Sequence, residues 1–293
     1  MFLKGKNIII TGAGRGIGKE IAIACAKEGA NLGLISRTIE QLTNVKKKID
    51  DLALNVKVII QNADVINFQE LEAVFKTFCE DLGLLNGVIA NAGYSRMWKT
   101  HEFTNEKFTE ILNINVLGVF NTFKAAYSYL KKDDKNDKAR FIITGSEAYP
   151  HAPPGLTAYV ASKYAVVGMQ KAMATEYKKE NINFTMVLPT QVDTTLLRGK
   201  KAGDGNKPAF VLDPWELNDY YLFLLSENAN RITNGLIFSS NFQEVKKLLA
   251  KAPIEQKENW KVFEDYFKQN APKSYENVKN LRSLVDFIIS RNQ

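Results

Sequence analysis

The sequence has few of the residues that build disulfide-stapled or metal-centred proteins. It holds two cysteines and two histidines in 293 residues. Cys25 and Cys79 fall inside apolar helical patterns, so they read as small core residues of a reducing compartment and not as a disulfide framework. No metal site is expected. No apolar run reaches the ~18 residues that span a bilayer. A strand-like run begins almost at position 2, which leaves no room for a leader peptide, so the expected location is cytoplasmic. A dense basic block is also missing. The net charge is +7, but the cations are interspersed with acids. That pattern suits an anionic small ligand better than nucleic acid.

What is present is an ordinary globular composition, 45% hydrophobic and 24% charged. The length suffices for one large α/β domain or two small ones. Asn7-Ile8-Ile9-Ile10 is a continuous apolar run, as expected of a parallel strand covered on both faces. It leads into Thr11-Gly12-Ala13-Gly14-Arg15-Gly16-Ile17-Gly18, and a helical pattern follows to about Gly29. Strand, glycine loop and helix form the dinucleotide-binding context: the glycines let the backbone turn tightly and approach a pyrophosphate, which then sits at the helix N-terminus. The spacing here is G-x-x-x-G-x-G, at Gly12, Gly16 and Gly18.

The second strand, Asn31 to Ile35, ends at Ser36-Arg37-Thr38. An acid at this strand end would bind a ribose 2′-OH and favour NAD. Here stand Ser36 and the guanidinium of Arg37, with Arg15 in the glycine loop as a second cation. Both suit a 2′-phosphate, so NADP is expected over NAD. Strands and helices then alternate: a helix near 39–52, a strand at 56–60, Asp64-Val65, a helix near 67–82, and the strand 87–90 into Asn91-Ala92-Gly93. A helix at 105–130 contains Asn113 and Asn115, and a solvated run at 131–138 precedes the strand 140–144 and Ser146. The helix with Tyr159 and Lys163 runs to about 180, and the strand 183–188 ends at Pro189. Such alternation argues for a parallel, doubly wound sheet.

Tyr159 and Lys163 are four apart, so they share a helix face. A nearby ammonium favours phenolate and is expected to pull the tyrosine down from its ordinary ~10. A tyrosine so tuned can give a proton to a carbonyl oxygen or take one from an alcohol. Alone, the pair is common on helices.

Taken together, the glycine loop, Asp64, Asn91-Ala92-Gly93, Asn115, Ser146, Tyr159-x3-Lys163 and Pro189 resemble a short-chain dehydrogenase/reductase of the classical type, in that family's order and spacing, over residues 5 to about 240. The resemblance implies a seven-stranded Rossmann sheet. It implies Tyr159 as general acid/base, Lys163 lowering its pKa and binding the nicotinamide ribose, Ser146 polarising the substrate carbonyl, and Asn115 holding a water that relays protons to Lys163. It implies a cofactor held by Gly12, Arg15, Gly16, Ile17, Gly18, Ser36, Arg37, Asp64, Val65, Asn91, Ala92, Gly93, Pro189, Val192 and Thr194, together with Tyr159 and Lys163. Asn115 is preferred to Asn113 because Gly118 completes the family's N-x-x-G context.

Some positions depart from the pattern. Thr190 stands where a glycine usually follows Pro189, and Ser239-Ser240-Asn241 replaces the usual Asp-Gly-Gly. The second change puts the usual tetramer packing in doubt, leaving a homodimer through the helices at 105–130 and 159–180 or a homotetramer. Residues 195–215 are rich in Gly and Lys and are expected to close over substrate, their charges meeting an acidic or phosphopantetheine-bearing compound. Tyr94, Met97, Trp98, Tyr149, His151, Pro153 and Leu156 are the expected pocket lining, mostly apolar, which suggests a hydrophobic carbonyl compound. The domain is expected to end near 240. A helical extension at 241–293 follows, with stripes at Trp260, Phe263, Phe267 and at Leu281, Leu284, Val285, Ile288. It is expected to pack on the domain or a subunit neighbour; a membrane contact is the lesser alternative. The expected activity is hydride transfer between NADP(H) and a carbonyl or secondary alcohol. A 3-oxoacyl or 3-keto-lipid reductase and a non-catalytic NADP-binding sensor are the alternatives.

Overall fold

A continuous run of β-branched and aliphatic residues survives in a strand only when both faces are covered, and the strands here are covered in that way. The computed structural model describes residues 1–131, 137–240, 243 and 282–291. Its strands are β1 (Asn7–Thr11), β2 (Asn31–Ser36), β3 (Val58–Asn62), β4 (Gly87–Ala90), β5 (Ala139–Thr144), β6 (Ile182–Leu188) and β7 (Gly235–Phe238). They form one sheet in the order β3-β2-β1-β4-β5-β6-β7. Every pairing is parallel. The order reverses direction between β1 and β4, where an open α/β sheet leaves a crevice at its carboxyl edge.

Period-two alternation sorts the core. Ile8 and Ile10 face one layer and Ile9 the other; Ile142 opposes Phe141 and Ile143 in the same way. Helices α1 (Gly16–Lys27) and α2 (Ile39–Asp50) cover the first face. On the second lie α3 (Phe68–Leu82) and α5 (Gly118–Ala126), which α4 (Asn105–Leu112) reaches through a π-helical turn (Asn113–Leu117), while Ile111 of α4 packs with Ala158 and Tyr159 in a smaller cluster. The chain continues through a short turn, α6 (Ala148–His151), to α7 (Thr157–Glu176), also on the second face, then α8 (Thr195–Arg198) and α9 (Asn218–Leu225), which returns to the first. Asn67 caps α3 by accepting the Glu70 N–H, and Thr104 caps α4 by accepting that of Lys107.

The expected boundaries shift slightly. The helix of Tyr159 ends at Glu176 and not near 180. Ser239 and Ser240 lie in a helical turn just past β7. Of the extension, α10 (Arg282–Arg291) packs on α9. Its Leu284 and Phe287 are buried, and Phe287 sits 5.0 Å from the ring of Phe2 and 5.6 Å from that of Phe223. Trp260, Phe263, Phe267 and Leu281 lie outside the described residues. Among the described residues no helix is long and apolar enough to cross a membrane.

Candidate active site

The carboxyl ends of the central strands open into a cleft of about 1180 Å³. Its first wall is the glycine loop. Gly12 adopts φ +66°, and a Cβ there would lie 2.8 Å from Ala92 Cα. Gly16, at φ +54°, faces Thr194, whose Cγ2 would lie 3.2 Å from an added Cβ. The backbone thus makes a bare cradle, and no side chain caps the N-terminus of α1. Exposed amides at a helix start, with no side chain in front of them, fit a pyrophosphate.

Gly18 has a different job from the one expected. It is buried and does not line the cleft; a Cβ there would lie 2.3 Å from the Gly12 carbonyl. It lets α1 pack against the loop. Gly118 acts alike, since its Cβ would meet Val65 Cγ2 at 2.6 Å.

At the outer end of the cleft, Arg15, Ser36 and Arg37 gather with Gly14, and both arginines are exposed. Arg37 Nη1 is 3.9 Å from Asp64 Oδ2, a loose pair in water. Val65 and Ile17 complete this end. At the inner end lie Asn91, Ala92, Gly93, Pro189, Val192 and Thr194. The Asn91 side chain is already committed: its Nδ2 donates to the carbonyls of Thr11 and Gly12, and its Oδ1 accepts the Thr144 hydroxyl at 3.2 Å. It fastens the glycine loop to β5.

The floor is built by α7. Tyr159 and Lys163 are buried and share one face, and the Tyr159 hydroxyl bonds to Ser146. Ser146 Oγ also accepts the Ala148 N–H at 3.0 Å, which fixes its rotamer. Lys163 Nζ donates to the Thr144 carbonyl at 3.0 Å and lies 5.3 Å from the Tyr159 ring centre. The expected depression of the Tyr159 pKa does not hold. Burial pushes the phenol above its ordinary value, and the Ser146 bond opposes this only in part. Burial also lowers the Lys163 ammonium to about 8.

Asn115 sits in the π-helical turn and is 1% exposed. It does not line the cleft. Its Oδ1 accepts the Tyr94 N–H, and its Nδ2 donates to the Tyr94 carbonyl and to Ser162 Oγ. Both amide hydrogens are therefore spent on protein, and the side chain pins Tyr94 to Ser162. Ser162 in turn donates to the Tyr159 carbonyl at 2.6 Å. The π turn, Tyr94 and α7 are thus joined by one chain of bonds.

Of the expected pocket residues, Tyr94, Met97, Trp98, His151, Pro153 and Leu156 line the cleft. Tyr149 does not; its ring packs on Tyr164 at 4.6 Å. Sequence reasoning missed Glu147, Thr144, Ser162 and Tyr221. The Tyr221 hydroxyl lies 2.8 Å from Thr144 Oγ1. Glu147 and Thr144 flank motif residues and could have been suspected on that ground. Tyr221 arrives from α9, and no local pattern announces it.

The loop from Thr190 to Asp213 is braced by ion pairs and a buried carboxylate. Asp193 is buried; its Oδ1 pairs with Arg198 at 3.1 Å and its Oδ2 accepts the Gly203 N–H. Arg198 also reaches Asp204 at 2.9 Å.

The chain matches the family model described as short chain dehydrogenase over residues 6–205. It is 32% identical over 195 residues to the 3-ketodihydrosphingosine reductase of Mus musculus, which covers 66% of this chain and 58% of the mouse protein. Carveol dehydrogenase from Mycobacterium avium, solved in complex with NAD, is 25% identical with a TM-score of 0.74, covering 81% of this chain and 96% of that one. An alcohol dehydrogenase from the archaeon Thermococcus sibiricus, complexed with 5-hydroxy-NADP, is 28% identical with a TM-score of 0.71, covering 80% and 95%. A match of that extent, laid over the sheet and cleft that the same residues build, places the chain in the short-chain dehydrogenase/reductase family.

Proposed function

We propose that this chain is an NADP(H)-dependent oxidoreductase acting on the carbonyl or secondary alcohol of a largely apolar compound. The observation that carries the reading is the meeting of Ser146, Tyr159 and Lys163 on the floor of a cleft whose far wall is a bare glycine cradle. Gly12, Arg15, Gly16, Ile17, Ser36, Arg37, Asp64, Val65, Ala92, Gly93, Pro189, Val192 and Thr194 would hold the dinucleotide, and Gly18 and Asn91 would support them. The bound nicotinamide supplies or accepts the hydride.

The chain's own part is position and a proton. Ser146 and Tyr159 donate to the substrate oxygen as negative charge develops on it. Tyr159 transfers its proton there, and burial keeps the phenol protonated until it is needed. Lys163, anchored on Thr144, offsets the charge left on the phenolate. Asn115 acts through its pin on Tyr94 and Ser162. The preference for NADP rests on Arg15 and Arg37 at the outer end with no acid at position 36.

Likeness to the mouse 3-ketodihydrosphingosine reductase favours a 3-keto lipid as a second reading of the substrate. Residues 1–240 would form the catalytic unit and 241–293 an extension packed on it, in a cytoplasmic homodimer or homotetramer. Absorbance of NADPH against a panel of ketones tests the central claim. The wild-type chain is expected to oxidise NADPH with at least one apolar ketone, and Tyr159→Phe is expected to bind NADPH while losing at least ~100-fold in turnover. Full activity in that variant would remove the assignment.

A further inference from the structure

We infer that the mouth of the cleft is a docking surface for an anionic membrane, from which an apolar carbonyl substrate passes directly to Tyr159; this rests on the reading of the cleft as a site for apolar compounds. Two loops reach the cleft: one lines it through residues 94–98, and the other, residues 195–213, through 195–197 and 199. Met97 is 68% exposed and Phe210 65% exposed, the most exposed large apolar side chains after Met1 among the described residues. Leu196 and Leu197, which line the cleft, are each more than 40% exposed. Exposed apolar side chains gathered in two loops that reach one cleft point to a surface that meets something.

The charge around these side chains says what that is. Residues 195–213 carry four cations and two carboxylates. Both carboxylates are paired within the loop: Asp204, itself exposed, with Arg198 at 2.9 Å and Asp213 with Lys207 at 3.5 Å. Lys200 and Lys201 remain exposed, as do Arg96 and Lys99 on the opposite loop. Exposed apolar side chains in the same two loops as exposed lysines and an arginine suit an interface of acyl chains beneath anionic headgroups. Closure over substrate accounts for Leu196 and Leu197, which line the cleft, but not for Phe210, Lys200 and Lys201, which do not. The loop is held in this pose by Asp193 and by the pairing of Val192 with Leu212. No membrane-crossing helix exists among the described residues, so the contact would be peripheral.

The test is co-sedimentation of the full chain with phosphatidylcholine vesicles, with and without phosphatidylglycerol, at low and high salt. Binding to the anionic vesicles alone, weakened by salt, is expected. Phe210→Ser, and separately Lys200→Glu with Lys201→Glu, are expected to weaken it at least ~5-fold, and Phe210→Trp to retain it. Turnover of a short water-soluble ketone stays unchanged in all three. Absence of binding to anionic vesicles, or equal binding by the charge-reversed variant, overturns the proposal. A loss of self-association in the Phe210→Ser variant, without vesicle binding by the parent, assigns the patch to a second copy instead. Vesicle binding by a chain that turns over no carbonyl keeps the docking surface and sinks the functional reading; the converse result does the reverse.

Discussion

The Glu147 carboxylate accepts the backbone N–H of Ser240 at 2.7 Å, so the residue beside Ser146 is tied to the end of β7. Ser239 completes the link: its hydroxyl donates to the same Glu147 oxygen at 3.4 Å and accepts the Thr190 N–H at 2.8 Å. Thr190 and Ser239-Ser240 are the two departures from the family pattern, and they contact each other. The serine side chain supplies an acceptor that the Thr190 amide uses, so the altered edge is held by bonds and not merely tolerated.

That link predicts a positioning role for Glu147. Glu147→Ala leaves the Ser240 amide and the Ser239 hydroxyl without their buried acceptor, at a cost of about 1–3 kcal/mol. The expected kinetic result is a higher KM for NADPH together with a lower kcat, with Glu147→Gln restoring most of both. Steady-state kinetics of the two variants, alongside Tm, separate this from general destabilisation.

Lys163 carries a stability cost that depends on pH. Its folded pKa, about 8, lies below the ordinary 10.5. The unfolded chain therefore binds more protons between these values, and stability rises with pH through that window. Below about 8 the full cost is present, roughly 3 kcal/mol at most. Lys163→Met should remove the cost but leave the Thr144 carbonyl unpaired. Its Tm relative to the parent is expected to be highest near neutral pH and to fall as pH rises from 8 toward 10.5, while turnover is lost. Thermal denaturation across that range checks the sign.

Arg15 and Arg37 are both exposed at one end of the cleft, and Arg37 holds Asp64 only loosely. Arg37→Asp is expected to raise the KM for NADPH at least ~10-fold and to lower that for NADH, because a carboxylate repels a 2′-phosphate and accepts a 2′-OH. Arg15→Ala should weaken NADPH alone. The ratio of kcat/KM for the two cofactors is the measurement.

Phe287 is 3% exposed between Phe2 and Phe223. Phe287→Ala is expected to cost about 3–5 kcal/mol if α10 unfolds together with the domain. A helix that undocks independently would instead leave the main transition in place. Denaturant unfolding, with limited proteolysis at the C-terminus, distinguishes the two outcomes.

The sequence by itself determined the parallel sheet, the glycine loop and the Ser146, Tyr159 and Lys163 set. Each is a local pattern: buried runs of β-branched residues, glycines at fixed offsets, and two side chains one helical turn apart. What it could not carry was the electrostatic balance at Tyr159. Lysine proximity is visible four residues away, but burial depends on everything packed over α7, and burial prevails. The commitment of Asn115 to Tyr94 and Ser162 also needed the fold, since those bonds span 21 and 47 positions. So did the arrival of Tyr221 at Thr144, across 77. Spacing along the chain decides which groups can face one another. Only tertiary packing decides which of them are deprived of water, and it is that loss of water that places their pKa values and fixes their hydrogen bonds.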